Sequence, residues 1–204
     1  MKEKTNKLCD VSIPITIKSS NELKNIEFKF EYGATLISGK PGTGKTTIIR
    51  QLLAYMSNRK DEAFDVLLAD TTGYEFSKTK DLPQNIIRDF LFGTIQNDIE
   101  EFIDKIYIEF IERKDFMIKN GCNNIEMLPE DKRKSPVVII IDDIYILLDN
   151  LKSQEYLQKF EMLITVSRAC GFQFVLLCQD YKKLREKLPM VLWKMIEQKI
   201  CLSS

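Results

Sequence analysis

The stretch Ala34-Thr35-Leu36-Ile37-Ser38-Gly39-Lys40-Pro41-Gly42-Thr43-Gly44-Lys45-Thr46-Thr47 decides the fold. Ala34 to Ser38 is a short apolar run of strand length, and from Thr46 to Met56 the apolar residues recur at helical spacing. Between them the three glycines let the chain curl so that backbone N–H groups aim inward at an anion. Strand, glycine loop and helix in this order form a phosphate-binding loop. The helix that begins near Lys45 adds its positive end to the loop. The Lys45 ammonium is expected to reach the β and γ phosphates of a nucleoside triphosphate, and the Thr46 hydroxyl to ligand Mg²⁺. Lys40, Pro41, Thr43 and Thr47 complete the expected nucleotide-contacting set.

Outward from this loop, the next apolar strand runs from Phe64 to Ala69 and closes on Asp70-Thr71-Thr72-Gly73-Tyr74-Glu75-Phe76. Ile95, Ile99, Phe102, Ile106 and Phe110 then mark a long amphipathic helix, and its charged residues read as a solvated face. Asn120-Gly121 ends that helix, and Met127 to Pro136 is a polar connection. Val137-Val138-Ile139-Ile140-Ile141 is an unbroken β-branched run, as in a central parallel strand buried on both faces. A helix around Tyr156, Phe160, Leu163, Ile164 and Ser167 follows. Phe172 to Cys178 is strand, and Lys199 to Leu202 a last short one. This alternation predicts an α/β fold of RecA-like type, with a mostly parallel sheet and helices on both faces. Ahead of it, Val11, Ile13, Ile15 and Ile17 alternate with Ser12, Pro14 and Thr16, and Ile26, Phe28 and Phe30 with charged residues. With Ser19-Ser20-Asn21 as the turn these form a β-hairpin, and Pro14 puts its first strand at an edge. The expected organisation is a hairpin extension over residues 1–32 and a nucleotide-binding domain over 33–204.

A chain of 204 residues can bury its own core without metals or disulfides. The 30 basic residues balance the 30 acidic ones, so no net charge advertises nucleic acid. Five cysteines without a CxxC pair suggest neither zinc ribbon nor disulfide framework, and reduced thiols imply a cytoplasmic setting. Histidine is absent, which excludes Ser-His-Asp chemistry and HExxH zinc sites. Chemistry must run on carboxylates, Lys, Arg and bound metal. No apolar run has the length of a spanning helix, and recruitment to a membrane is expected through partners.

Asp142 ends the apolar strand where a triphosphate site needs an acid to hold Mg²⁺, and Asp143 follows it. The competing reading of this pair is a helix N-cap. Gln179 ends the strand from Phe172 and is placed to sense the γ phosphate, or is a turn residue. Arg168 is either a stabiliser of charge on the transferred phosphoryl group or a solvated residue late in a helix.

Taken together, these segments resemble the FtsK/SpoIIIE group of DNA-pumping and secretion ATPases. The phosphate loop, Leu68 to Phe76, Glu109-Phe110-Ile111-Glu112-Arg113 with Asn120 to Ile125, Val137 to Asp143, and Ser167 to Phe172 leading to Gln179 occur in that family's order. The resemblance implies a motor that binds ATP and Mg²⁺ between the subunits of a ring, usually a hexamer, and moves DNA or a secreted protein. It implies roles for Lys45 and Thr46 at the phosphates, Asp142 at Mg²⁺ and Gln179 as sensor. Three departures accompany it. Asp143 stands where the family has a water-orienting Glu. Gln198-Lys199-Ile200-Cys201 stands where it has Thr-Arg-Ile, and the chain stops short of the family's last segment, with no recognisable winged-helix module. Two other readings follow: a poorly hydrolysing regulatory or assembly domain, favoured by Asp143, and a small-molecule kinase, opposed by the lack of an arginine-rich lid.

Overall fold

The structure, a computed structural model, describes residues 11–202 except 20, 21, 60–62, 74, 77–82, 84 and 94. The first two strands, β1 (Val11–Ser19) and β2 (Glu22–Phe30), pair antiparallel from Val11↔Phe30 to Ser19↔Glu22. Ile13, Ile15, Phe28 and Phe30 are buried, while Pro14, Thr16, Glu27 and Lys29 are exposed, so the alternation read from sequence is the division between core and solvent. Ser20 and Asn21 of the expected turn lie outside the described residues.

Six strands make the main sheet: β3 (Gly33–Gly39), β4 (Asp65–Asp70), β5 (Ile87–Phe92), β6 (Val137–Asp142), β7 (Phe172–Cys178) and β8 (Ile196–Leu202), in the order β5-β4-β6-β7-β3-β8. Every pairing in it is parallel. The helices are α1 (Lys45–Asn58), α2 (Gln96–Lys119), α3 (Ile144–Asn150), α4 (Gln154–Cys170), α5 (Tyr181–Lys187) and α6 (Met190–Met195). The chain crosses from β3 through α1 to β4 in one direction, then through α2 and α4 in the other. Right-handed crossovers therefore put α1 on one face and α2 with α4 on the opposite one, and α2 packs on α4. The result is the expected α/β fold. β6 and β7 are buried along their whole length, as their apolar runs require.

Three expectations change. β5 was not foreseen, because Ile87-Arg88-Asp89-Phe90-Leu91-Phe92 neither alternates nor runs apolar. It is an edge strand supported by β4 alone. The last strand is longer than Lys199 to Leu202, starting at Ile196 beside Ala34. The charged face of α2 is not wholly solvated, since Glu109 and Arg113 are buried. The hairpin packs on the rest of the core: Phe30 stacks on Tyr55 at 6.0 Å and contacts Phe64 at 5.7 Å between ring centres. Gln51 of α1 donates to the Thr16 carbonyl, and Gln173 of β7 to that of Lys29.

Candidate functional site

Four neighbouring strands end at one edge of the sheet, and each delivers a piece of one pocket. Open parallel sheets bind ligands at this carboxyl edge. β3 runs into the glycine loop, β4 into Thr72 and Glu75, β6 ends on Asp142 with Asp143 next, and β7 hands over to Gln179. A cavity of about 250 Å³ opens there, lined by Pro41, Gly42, Gly44, Lys45, Thr46, Thr47, Thr72, Glu75, Asp142, Asp143 and Gln179.

The loop is shaped by its own backbone. Gly39 has no room for a side chain: a Cβ would stand 2.5 Å from the Thr43 hydroxyl and 2.9 Å from Leu202 Cβ. Gly44 caps α1 at a φ of 99°, which favours glycine, and no acidic residue in the first turn opposes the helix's positive end. The Thr43 hydroxyl is buried and donates to the Lys40 carbonyl at 2.8 Å. Lys45 Nζ donates to the carbonyls of Gly39 at 2.5 Å and Lys40 at 3.2 Å, which arches its ammonium over the loop. Thr46 Oγ1 donates to Glu75 Oε2 at 2.8 Å.

Opposite the loop, Asp142 is buried, and its Oδ2 has no hydrogen-bond partner among the described residues. Burial pushes its carboxyl up to about 7. Asp70, Glu75 and Asp143 add to the rise, and Lys45 opposes it. Asp70 is its register partner on β4, but that carboxylate is taken by the Thr72 hydroxyl and the Gly73 and Phe76 N–H groups. Asp142 is thus the buried acid left free for a cation. A hydroxyl, an orphaned carboxylate and a helix N-terminus suit Mg²⁺ carried by a phosphate chain. Among the described residues no three His, Cys, Asp or Glu side chains converge to hold a metal by themselves. Phosphate and water oxygens would complete the coordination.

The candidate residues are not all equal in this geometry. Asp143 lines the pocket but also caps α3: it has a φ of 62°, and its Oδ1 accepts from Tyr145 N at 3.2 Å. The helix-cap reading of the acidic pair therefore holds for Asp143, while Asp142 makes no such cap and keeps an unpartnered oxygen among the described residues. Burial raises the Asp143 carboxyl, against the N–H groups of Ile146 and Tyr145 and the charge of Lys45. Gln179 is exposed on the rim. Arg168 is not in the pocket: it lies near the end of α4, at the opposite edge of the sheet, and pairs with Glu197 at 3.2 Å. Its sequence reading as a phosphoryl-stabilising group in its own chain's site is therefore corrected, because α4 ends where β7 begins. The Lys40 side chain points to solvent and only its carbonyl serves the loop. Lys199 lies over the Trp193 ring and donates to the Ile196 carbonyl, away from the lining. Glu75 and Thr72 were missed as site residues, although the segment that contains them was singled out.

A model of the AAA domain family matches residues 29–188. No curated protein matches the sequence. Among solved structures, the chain is similar to ATPases 2 and 3 of EssC from Geobacillus thermodenitrificans, with a TM-score of 0.72 at 17% identity over 93% of this chain and 36% of that one. It is similar to the pCW3 conjugation coupling protein TcpA with ATPγS, with a TM-score of 0.66 at 19% identity over 97% of this chain and 55% of that one. The cytoplasmic domain of the Thermomonospora curvata type VII secretion ATPase EccC gives 0.64 at 13% identity, over 95% of this chain and 22% of that one. Identities this low speak for the fold. The chain spans about a third of the matched EssC chain and about half of the matched TcpA chain.

Proposed function

The chain belongs to the AAA domain family of P-loop proteins, and from that premise we propose that it binds ATP with Mg²⁺ at the carboxyl edge of its sheet and hydrolyses it as the motor domain of a larger assembly. The observation that supports this best is that Lys45 and Thr46 line one cavity with Asp142, a buried acid whose Oδ2 has no hydrogen-bond partner among the described residues. In this reading Lys45 exchanges its two loop carbonyls for β and γ phosphate oxygens. The loop N–H groups hold the phosphate chain, and Thr46 and Asp142 hold the cation directly and through water. When bound, Mg²⁺ neutralises charge developing on the phosphates. Asp143 orients the attacking water, and Gln179 reads the γ phosphate from the rim. Residues 33–204 form the catalytic domain, with the hairpin of residues 1–32 an extension on it.

The work done with ATP is translocation of a polymer, DNA or a secreted protein. The similar folds of a conjugation coupling protein and a type VII secretion ATPase support both. The chain works in a self-associated ring or docked to other ATPase domains, and reaches the inner face of a membrane through partners. A second reading, a nucleotide-binding regulatory domain that hydrolyses poorly, is favoured by the capping bond of Asp143. The hydrogen bond to Tyr145 N holds a side chain already one methylene shorter than Glu.

The test is binding of a fluorescent ATP analogue with Mg²⁺ to the parent and to Lys45→Ala, alongside circular dichroism and phosphate release over a range of protein concentrations. The parent is expected to bind and turn over, and the folded variant to lose most of its affinity. A parent that binds no nucleotide sinks the proposal. Tight binding without turnover in every condition transfers it to the regulatory reading.

A further inference from the structure

The segment after β4 is built with unusual care for a loop that carries one exposed acid. Asp70 ties Thr72, Gly73 and Phe76 to itself through three hydrogen bonds of 2.8 to 2.9 Å. Phe76 is fully buried, and Arg50 lies over its ring at 5.6 Å. The same Arg50 donates to the Glu75 carbonyl at 2.9 Å. Glu75 is thereby held along its backbone, and its carboxylate accepts the Thr46 hydroxyl at 2.8 Å. Thr46 and Arg50 are four residues apart, on one face of α1. One helix face grips both the main chain and the side chain of Glu75.

A threonine hydroxyl has one hydrogen and two lone pairs. With the hydrogen given to Glu75, both lone pairs stay free for a cation, and Thr46 lines the same pocket as Asp142. Outer-shell carboxylates fix inner ligands in this way, by accepting the ligand's own hydrogen. Charge adds a second effect. Glu75, Asp142 and Asp143 all line the pocket, and Lys45 is the sole cation among its described lining residues. A triphosphate entering without a metal meets three carboxylates and one ammonium.

We propose that Glu75 is the positioning residue of the metal site, orienting Thr46 toward the cation and making nucleotide binding depend on that cation. It acts through Thr46 and is not itself a ligand. The inference rests on the ATP reading above.

The experiment measures the affinity of the fluorescent ATP analogue in Mg²⁺ and in EDTA for the parent, Glu75→Gln and Glu75→Asp, with circular dichroism on each. Glutamine keeps an acceptor for Thr46 and removes the charge, so binding in EDTA should be equal or tighter. The gain that Mg²⁺ brings should fall about tenfold, the lower end of losses seen when outer-shell partners are changed. Aspartate keeps the charge but withdraws the acceptor, so its Mg²⁺ gain should also fall while binding in EDTA stays at the parent's value. A Glu75→Gln protein that keeps the parent's full gain overturns the inference. So does one that loses affinity equally in Mg²⁺ and EDTA, since that is the mark of a merely structural loop residue. Both outcomes leave the ATP reading standing, whereas a parent that binds in neither buffer removes both.

Discussion

Asp142 shows what burying a carboxyl among other acids costs. Its carboxyl is buried, has no donor to Oδ2 among the described residues, and is pushed from its ordinary 3.8 to about 7, chiefly by burial and then by Asp70, Glu75 and Asp143. A carboxyl whose folded value is raised binds its proton more tightly when folded, so its contribution to stability is full at low pH and is lost as pH rises from about 4 through about 7. Asp142→Asn cannot titrate. The variant should therefore melt higher than the parent in the absence of nucleotide, with a gain that grows across that window and levels off above it. The upper bound is roughly 4 kcal/mol. Melting temperatures at pH 5 and pH 8 check this, and an equal difference at both would show that the charge is not the cause. At this scale the gathering of Lys45, Thr46 and Asp142 in one pocket was legible, because each stands directly after an apolar strand or its glycine loop. Glu75 was not, because its partner Thr46 is 29 residues away and only the fold brings them together.

Among the elements, α2 is fastened by a group that its helical pattern disguised as solvated. Arg113 is fully buried, donates Nε to Glu109 at 2.8 Å, Nη1 to the Cys170 carbonyl and Nη2 to the Ser135 carbonyl, and lies 5.4 Å from the Phe172 ring centre. One guanidinium thus ties α2 to the end of α4 and the entry of β6. Burial would push the Glu109 carboxyl up, but Arg113 and Arg88 hold it below its usual value. Breaking a buried pair by removing one partner typically costs about 3–5 kcal/mol. Arg113→Met should lose that much in urea unfolding. Arg113→Lys should recover little, since an ammonium cannot span three acceptors in a planar fork. Replacing both partners, as Arg113→Met with Glu109→Leu, should recover most of the loss. A single variant as stable as the parent would mean the clamp is ornamental.

For the whole molecule, the pocket is open at its rim and, among its described lining residues, offers one cation to a triphosphate that carries about four negative charges. Phosphoryl transfer relies on a water-poor site with positive charge around the γ phosphate. A second chain closing over the rim would supply both. Balanced charge raises no long-range barrier to that approach. Mg²⁺ with a non-hydrolysable ATP analogue should therefore shift the protein to larger species in sedimentation velocity, and turnover per chain should rise with protein concentration. Monomers at high concentration with analogue bound, and turnover independent of concentration, would defeat the ring reading for this chain.

By itself the sequence determined the parallel α/β core, the phosphate loop and the acid at the end of β6. Each rests on local physics: β-branched runs that must be buried on both faces, glycines that allow a tight turn, and a carboxylate that follows an apolar strand directly. It left β5 unseen, because an edge strand carries no periodicity of its own and exists only where β4 offers it hydrogen bonds. It left two readings of Arg168 open, since a residue's position along a helix does not say which edge of the sheet that helix ends on, and the fold sets Arg168 away from its own chain's pocket. The division of labour between Asp142 and Asp143, the clamp at Arg113 and the hold of Glu75 on Thr46 were decided by tertiary structure alone. Each depends on distances between residues far apart in the chain, which only strand order and helix packing set.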